Sequence, residues 1–405
     1  MHAPSTSDQP TPRASTAATA LWPIALVSFL LSIGTGILWN GLSFVAEDAF
    51  GYGRVDTYAL SVVQGMCYVV AAFLAGRIIR ALEHTLAPRT VLALVLLSQG
   101  IIAPVILASP SSPALWFVAC AVSAASALQW PIIESYLTAG RSAKAMRSAI
   151  GWWNVVWMSS TLIALALTGV IIGAGLPMIA IAAIAPVNLV AAALLLKFGR
   201  EPGTHVHDDD EPVPASYRDH LAAARILLPV SYVIVAALAP LMPFLTAPFG
   251  LSDAERTLVA STWLAGRLLS AAIMWQTQRW HGAWATLGAA GVLMAAGFAI
   301  AVLAPTVSIL ILGLGLFGCG QGMIYYAAIY YAMRVGHADV DAAGTHEALI
   351  GLGYLIGPGI GLLSTLAASD DLARNQVFVL AIWAVMGAAA IPAVRPWMRS
   401  RRAAG

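Results

Sequence analysis

Four ionisable side chains stand inside long apolar stretches of this 405-residue chain: Glu134, Arg267, His346 and Glu347. A carboxyl group in a low-dielectric site exchanges its proton near neutral pH. Glu134 and Glu347 therefore suit proton coupling. His346 is a second candidate, because imidazole titrates in the physiological range. Successive helical residues point about 100° apart, so His346 and Glu347 cannot face one partner together. The expectation is Glu347 as carrier with His346 tuning it. Arg267 lies about ten residues from either end of its apolar stretch, where a positive charge costs at least about 2.5 kcal/mol and needs a partner. Glu134 is seven residues before Arg141, and Glu347 is six residues after Asp341, which places them at similar depths. Arg267 is expected to pair with Glu347 or Glu134 in one state and release it in another.

The elements that position these four follow from charge segregation. Residues 14–46, 90–133, 148–196, 226–252 and 282–333 carry no charged residue. A bilayer crossing needs about 20 residues at about 1.5 Å each, so the second, third and fifth runs each hold two crossings and a turn. The turns read directly as Ser109-Pro110-Ser111-Ser112-Pro113, Gly173-Ala174-Gly175-Leu176-Pro177 and Ala304-Pro305-Thr306, rich in residues that end helices. Only 10% of the chain is charged, against about 25% in a soluble domain. The reading is an all-α membrane protein with twelve transmembrane helices: 22–46, 57–79, 90–108, 114–140, 148–172, 177–197, 224–247, 256–278, 283–303, 307–333, 343–368 and 375–394. A β-barrel would need alternating strands of about ten residues, and these runs are continuously apolar. The first span is too long for a cleavable signal, and its small residues precede the apolar run instead of following it.

Twelve spans sort the basic residues. Seventeen of the 21 Lys and Arg fall on one side, only Arg54, Arg256 and Arg374 on the other, and Arg267 within a span. Both termini are thus expected in the cytoplasm, in a cytoplasmic (inner) membrane. The longest polar interruption, with Asp208, Asp209, Asp210 and Glu211, falls between spans six and seven. It divides the chain into a disordered tail 1–21, a six-helix bundle 22–198, a linker 199–222, a second six-helix bundle 223–398 and a tail 399–405. Equal halves suggest an internal repeat. A trace survives where Ala149-Ile150-Gly151 aligns with Ala342-Ala343-Gly344.

Over residues 22–398 this architecture resembles the major facilitator superfamily. That family carries a Gly-x-x-x-Asp-Arg type motif between spans two and three. Here Gly76 is followed by Arg77 and Arg80 without the acidic residue, and the counterpart Gln278-Arg279-Trp280-His281-Gly282 is equally degenerate. Span eleven holds Gly353-Tyr354-Leu355-Ile356-Gly357-Pro358-Gly359-Ile360-Gly361, which looks like the family's Gly-Pro antiporter motif in the repeat-equivalent position. The resemblance implies two pseudo-symmetric bundles, with spans one, four, seven and ten around a central cavity and two, five, eight and eleven at the seam. It implies a secondary transporter that moves a small organic solute by alternating access, with protons and the bilayer as partners and the chain as a monomer. Efflux of amphipathic compounds and uptake of a metabolite stand level. A membrane sensor or scaffold without turnover is the alternative.

Expected cavity walls are aromatic and mildly polar: Trp39 and Asn40 in span one, Gln129 and Trp130 in span four, Trp153, Asn154 and Trp157 in span five, and Gln321, Tyr325, Tyr326 and Tyr330 in span ten. Such surfaces stack on planar solutes and orient them through hydroxyl and amide groups. Trp22, Trp280 and Trp397, near span ends, read as an interfacial belt. Enzyme signals fail. His346-Glu347-Ala348-Leu349-Ile350 lacks the second histidine of a zinc motif. Gly313, Gly315 and Gly318 sit in a span with no preceding strand, where close helix packing accounts for them. His205 and His207 with the acidic run read as a solvated linker, and no metal, cofactor or nucleic acid is expected. Cys67, Cys120 and Cys319 fall within spans and imply no external disulfides.

Overall fold

The structure is a computed structural model that describes residues 18–82, 84–203, 213–335 and 340–404, excepting the side chains at 143, 340–346 and 400–404. The His346 side chain therefore lies outside the described residues, as do His205, His207 and the acidic run of the linker.

Twelve helices among the described residues are long and apolar enough to cross a bilayer. They are Leu21–Phe50 (span 1), Arg54–Leu82 (span 2), Pro88–Ala108 (span 3), Ser112–Thr138 (span 4), Lys144–Gly173 (span 5) and Pro177–Lys197 (span 6). The second half comprises Ser216–Phe249 (span 7), Asp253–Gln276 (span 8), Trp284–Val302 (span 9), Val307–Val335 (span 10), Glu347–Leu366 (span 11) and Asp371–Arg399 (span 12). No strand occurs among the described residues.

Two boundaries differ from the sequence reading. The helix of span 7 starts at Ser216, inside the stretch read as linker, because Tyr217, His220 and Leu221 are buried there against neighbouring helices. The helix of span 12 runs on to Ala404 through the stretch read as a tail; nothing after Pro396 breaks it.

Spans 1 and 5 pack together in the first half, as do spans 2 and 4, and spans 7 and 10 and spans 8 and 10 do so in the second. The halves meet along two seams, span 2 against span 11 and span 5 against span 8. Lipid tails are as apolar as side chains, so small residues that let backbones approach drive such contacts. At Gly65 a Cβ would overlap the Tyr354 carbonyl across the first seam, and at Gly169 it would overlap the Asp253 carbonyl across the second. Span 1 contains one π-helical stretch, Ile37–Gly41, of the kind often found at functional sites. It carries Trp39 and Asn40.

The end of the bundle opposite the termini is tied across the halves. Arg256 Nη2 donates to Glu47 Oε2 at 2.6 Å and to the Pro243 carbonyl at 2.9 Å. Arg54 Nη1 donates to Asn375 Oδ1 at 3.2 Å, and the Ser43 hydroxyl donates to the Ala239 carbonyl at 3.0 Å.

Candidate functional site

Three of the four intramembrane charges converge on one cavity between the halves. It is lined by Trp39 and Asn40 of span 1, Tyr68 of span 2, Trp130 and Glu134 of span 4, and Trp153 and Trp157 of span 5. From the second half come Tyr232 of span 7, Arg267 of span 8, Tyr325 of span 10, and Glu347 and Tyr354 of span 11. Its volume is about 60 Å³. A water needs about 10–15 Å³ by this measure, so in this conformation there is room for a few waters and for no organic solute.

Local sequence aims each group. Pro131 inside span 4 removes one helical hydrogen bond a turn before Glu134. Trp130 and Glu134 are four residues apart and so share a face. Arg267 belongs to a helix whose face Trp263, Leu264, Gly266 and Arg267 is buried. Its guanidinium stands 4.4 Å from the Trp157 ring centroid, 4.6 Å from that of Tyr325 and 5.8 Å from that of Tyr232. Nη2 donates to the Tyr232 hydroxyl at 2.9 Å. Desolvated cation–π contacts are worth about 2 kcal/mol, so ring faces compensate this charge in the present conformation. No ion pair within 4.0 Å joins Arg267 to Glu134 or Glu347 in this conformation.

The two carboxyls differ. Glu347, 5% exposed, accepts a hydrogen bond from the Tyr68 hydroxyl across the span 2 and span 11 seam. Glu134 is 1% exposed, and neither of its oxygens has a hydrogen-bond partner among the described residues. The two acids interact electrostatically with each other, and both act on Tyr232.

An aromatic stack closes the cavity toward the end opposite the termini. Trp39 lies face to face with Tyr354, centroids 3.8 Å apart and planes at 18°, and Tyr68 stands edge-on to both. Trp39 and Tyr354 also wall a second cavity of about 20 Å³, with Ser43, Gln64 and Pro358. The stack therefore separates the two spaces.

Of the expected cavity residues, Trp39, Asn40, Trp130, Trp153, Trp157 and Tyr325 line the space. The others are elsewhere. Gln129 accepts from Gln99 in a polar knot that Asn188 completes. Asn154 is buried, bonded to the Ile150 carbonyl and to the Trp157 indole. Gln321 is fully buried, and its amide has no hydrogen-bond partner among the described residues. Tyr326 and Tyr330 belong to a cluster at the end of the bundle that holds the termini, around Trp280. Trp280, read as interfacial, is buried there, whereas Trp22 is exposed. In the same cluster His281 stacks on Tyr330 at 4.5 Å. Burial, with Arg147 and Arg334 adding to it, holds its pKa below the usual 6.5.

Tyr68, Tyr232 and Tyr354 line the cavity unforeseen. A tyrosine hydroxyl inside an apolar run was the available signal, and Tyr354 stands within the glycine run of span 11.

Residues 24–361 match the family model of the Major Facilitator Superfamily. No curated protein matches the chain by sequence. Among solved structures the chain is similar to the nucleoside transporter NupG, with 14% identity and a TM-score of 0.65 over 93% of this chain and 98% of that one. It is similar to a bacterial homologue of the human drug peptide transporters PepT1 and PepT2, with 12% identity and a TM-score of 0.69 over 94% and 98%. The human organic anion transporter MFSD10 (TETRAN) matches with 14% identity and a TM-score of 0.62 over 90% and 97%. At these identities the likeness is one of fold.

Proposed function

Because the chain belongs to the Major Facilitator Superfamily, and is thus a membrane transporter rather than an enzyme, we propose that it moves a small organic solute by alternating access coupled to protons. The observation that carries this is the meeting of Glu134, Arg267 and Glu347 in one buried cavity between the halves. Glu134 comes from one half, Arg267 and Glu347 from the other, so rocking of the halves changes which of them meet. An ionised carboxylate without a partner is costly in such a place; a proton or a cationic group resolves it. Arg267 is held by Tyr232 and the rings in this closed conformation and pairs with a glutamate at another step. The chain acts as a monomer in a cytoplasmic (inner) membrane with both termini in the cytoplasm, supported by the distribution of Lys and Arg.

The test is solute-dependent proton movement in proteoliposomes with an internal pH dye, over a panel of nucleosides, short peptides, organic anions and organic cations. At least one class should move protons with the native protein, and not with Glu134→Gln or Glu347→Gln. No solute flux from any class would overturn the proposal in favour of a sensor or scaffold without turnover.

A further inference from the structure

The cavity contains one guanidinium and two carboxyls, and the structure treats them unequally. Arg267 is compensated by the faces of Trp157 and Tyr325 and by the Tyr232 hydroxyl, although its Nε has no hydrogen-bond partner among the described residues. Glu347 accepts from Tyr68. Glu134 alone has two oxygens, both buried, with no hydrogen-bond partner among the described residues. Of the three, Glu134 is thus the charged group with no hydrogen bond at all among the described residues, and Trp130 presents a ring on the same helical face.

A carboxylate beside an aromatic face is the chemistry that receives an ammonium group, through a charge-assisted hydrogen bond or contact ion pair and cation–π attraction. An anion would have to displace the Trp157 and Tyr325 rings from Arg267, and an ionised Glu134 would repel it. A neutral solute would leave the Glu134 proton in place and so could not be exchanged for it.

Resting on the transport reading above, we infer that the solute is an organic cation, a protonated amine or quaternary ammonium on an aromatic or apolar body, whose charge is received by Glu134 against Trp130. The cation and the proton compete for the same carboxyl oxygens. Binding of the cation releases the Glu134 proton to water, and return of a proton releases the cation, so one positive charge enters as one leaves. The titratable and charged groups facing Glu134 are Glu347 on span 11, Tyr232 on span 7, Tyr325 on span 10 and, through these, Arg267 on span 8. The cavity must widen to admit the solute, which requires the halves to move apart along the seams.

Three probes with one body and different charge test this on the detergent-purified full chain: benzyltrimethylammonium, benzyl alcohol and benzoate. Binding is read by quenching of cavity tryptophans and by thermal stabilisation. Benzyltrimethylammonium should bind best, release protons into weakly buffered solution, and weaken by up to about tenfold for each unit of falling pH. Its affinity should fall about 30-fold or more in Glu134→Gln and be partly kept in Glu134→Asp, which retains the charge and controls for folding. Benzoate binding better, cation binding unchanged in Glu134→Gln, or none of the three binding would each overturn the inference. Cation binding with proton release but no flux in proteoliposomes would instead fail the transport reading and leave the cation site standing.

Discussion

Replacing Arg256 with glutamine should open the end of the bundle opposite the termini. Nη2 of Arg256 bonds Glu47 of span 1 at 2.6 Å and the Pro243 carbonyl of span 7 at 2.9 Å. The side chains of Arg256 and Glu47 are 13% and 24% exposed, so water partly replaces what is lost. Hydrogen bonds to charged groups contribute about 1.5–3 kcal/mol each when well shielded, and the partial exposure argues for the low end, about 2 kcal/mol in all. That shifts the equilibrium between the closed and open forms of this end about 30-fold toward open. Ser43 lies behind this contact, on the wall of the small cavity and bonded to the Ala239 carbonyl. In a background with Cys67, Cys120 and Cys319 replaced, the labelling rate of Ser43→Cys by a membrane-impermeant maleimide should rise about 30-fold with Arg256→Gln. Asp56→Asn is the control, since exposed Asp56 bonds the Gly53 amide three residues away in its own half, and should leave the rate unchanged. A rate that stays within about twofold of the parent, or an equal rise in the control, would refute the assignment of Arg256 to the gate.

Gly65→Ala should press a methyl group into the Tyr354 carbonyl across the seam and destabilise the closed conformation by about 1–3 kcal/mol, seen as a lower unfolding temperature and faster Ser43→Cys labelling. Arg267→Lys keeps the charge but loses the planar stacking on Trp157 and Tyr325, so thermal stability should drop by about 1–2 kcal/mol without recovery in high salt; equal stability would deny the ring contacts their role. His281, faced by Trp280, Tyr330, Tyr217, Arg147 and Arg334, has its pKa lowered in the folded protein. The unfolded chain therefore takes up that proton first, and the His281 contribution to stability is whole above pH 6.5 and falls as pH drops below it. Thermal unfolding between neutral and mildly acidic pH should show a steeper loss in the native protein than in His281→Asn, and parallel curves would contradict this.

The chain order alone sufficed for the twelve spans and their division into halves. Bilayer thickness demands long uncharged runs, and a charge inside one is costly enough to stand out without any structure. Glu134, Arg267 and Glu347 were visible for that reason. Tertiary structure decided which neighbours they meet. A helix that is apolar all round has no periodicity to say which face turns inward, so Tyr325 reached the cavity while Tyr326 and Tyr330 went to the end cluster around Trp280. Tyr68, Tyr232 and Tyr354 arrive from three separate spans, and their convergence depends on helix rotation and seam contact. What holds Arg267 in this conformation was out of reach on the same ground: sequence ranks carboxylates as the natural counter-charge, but only the packed bundle shows three ring faces and a hydroxyl around the guanidinium here, with Glu134 left without a hydrogen-bond partner among the described residues.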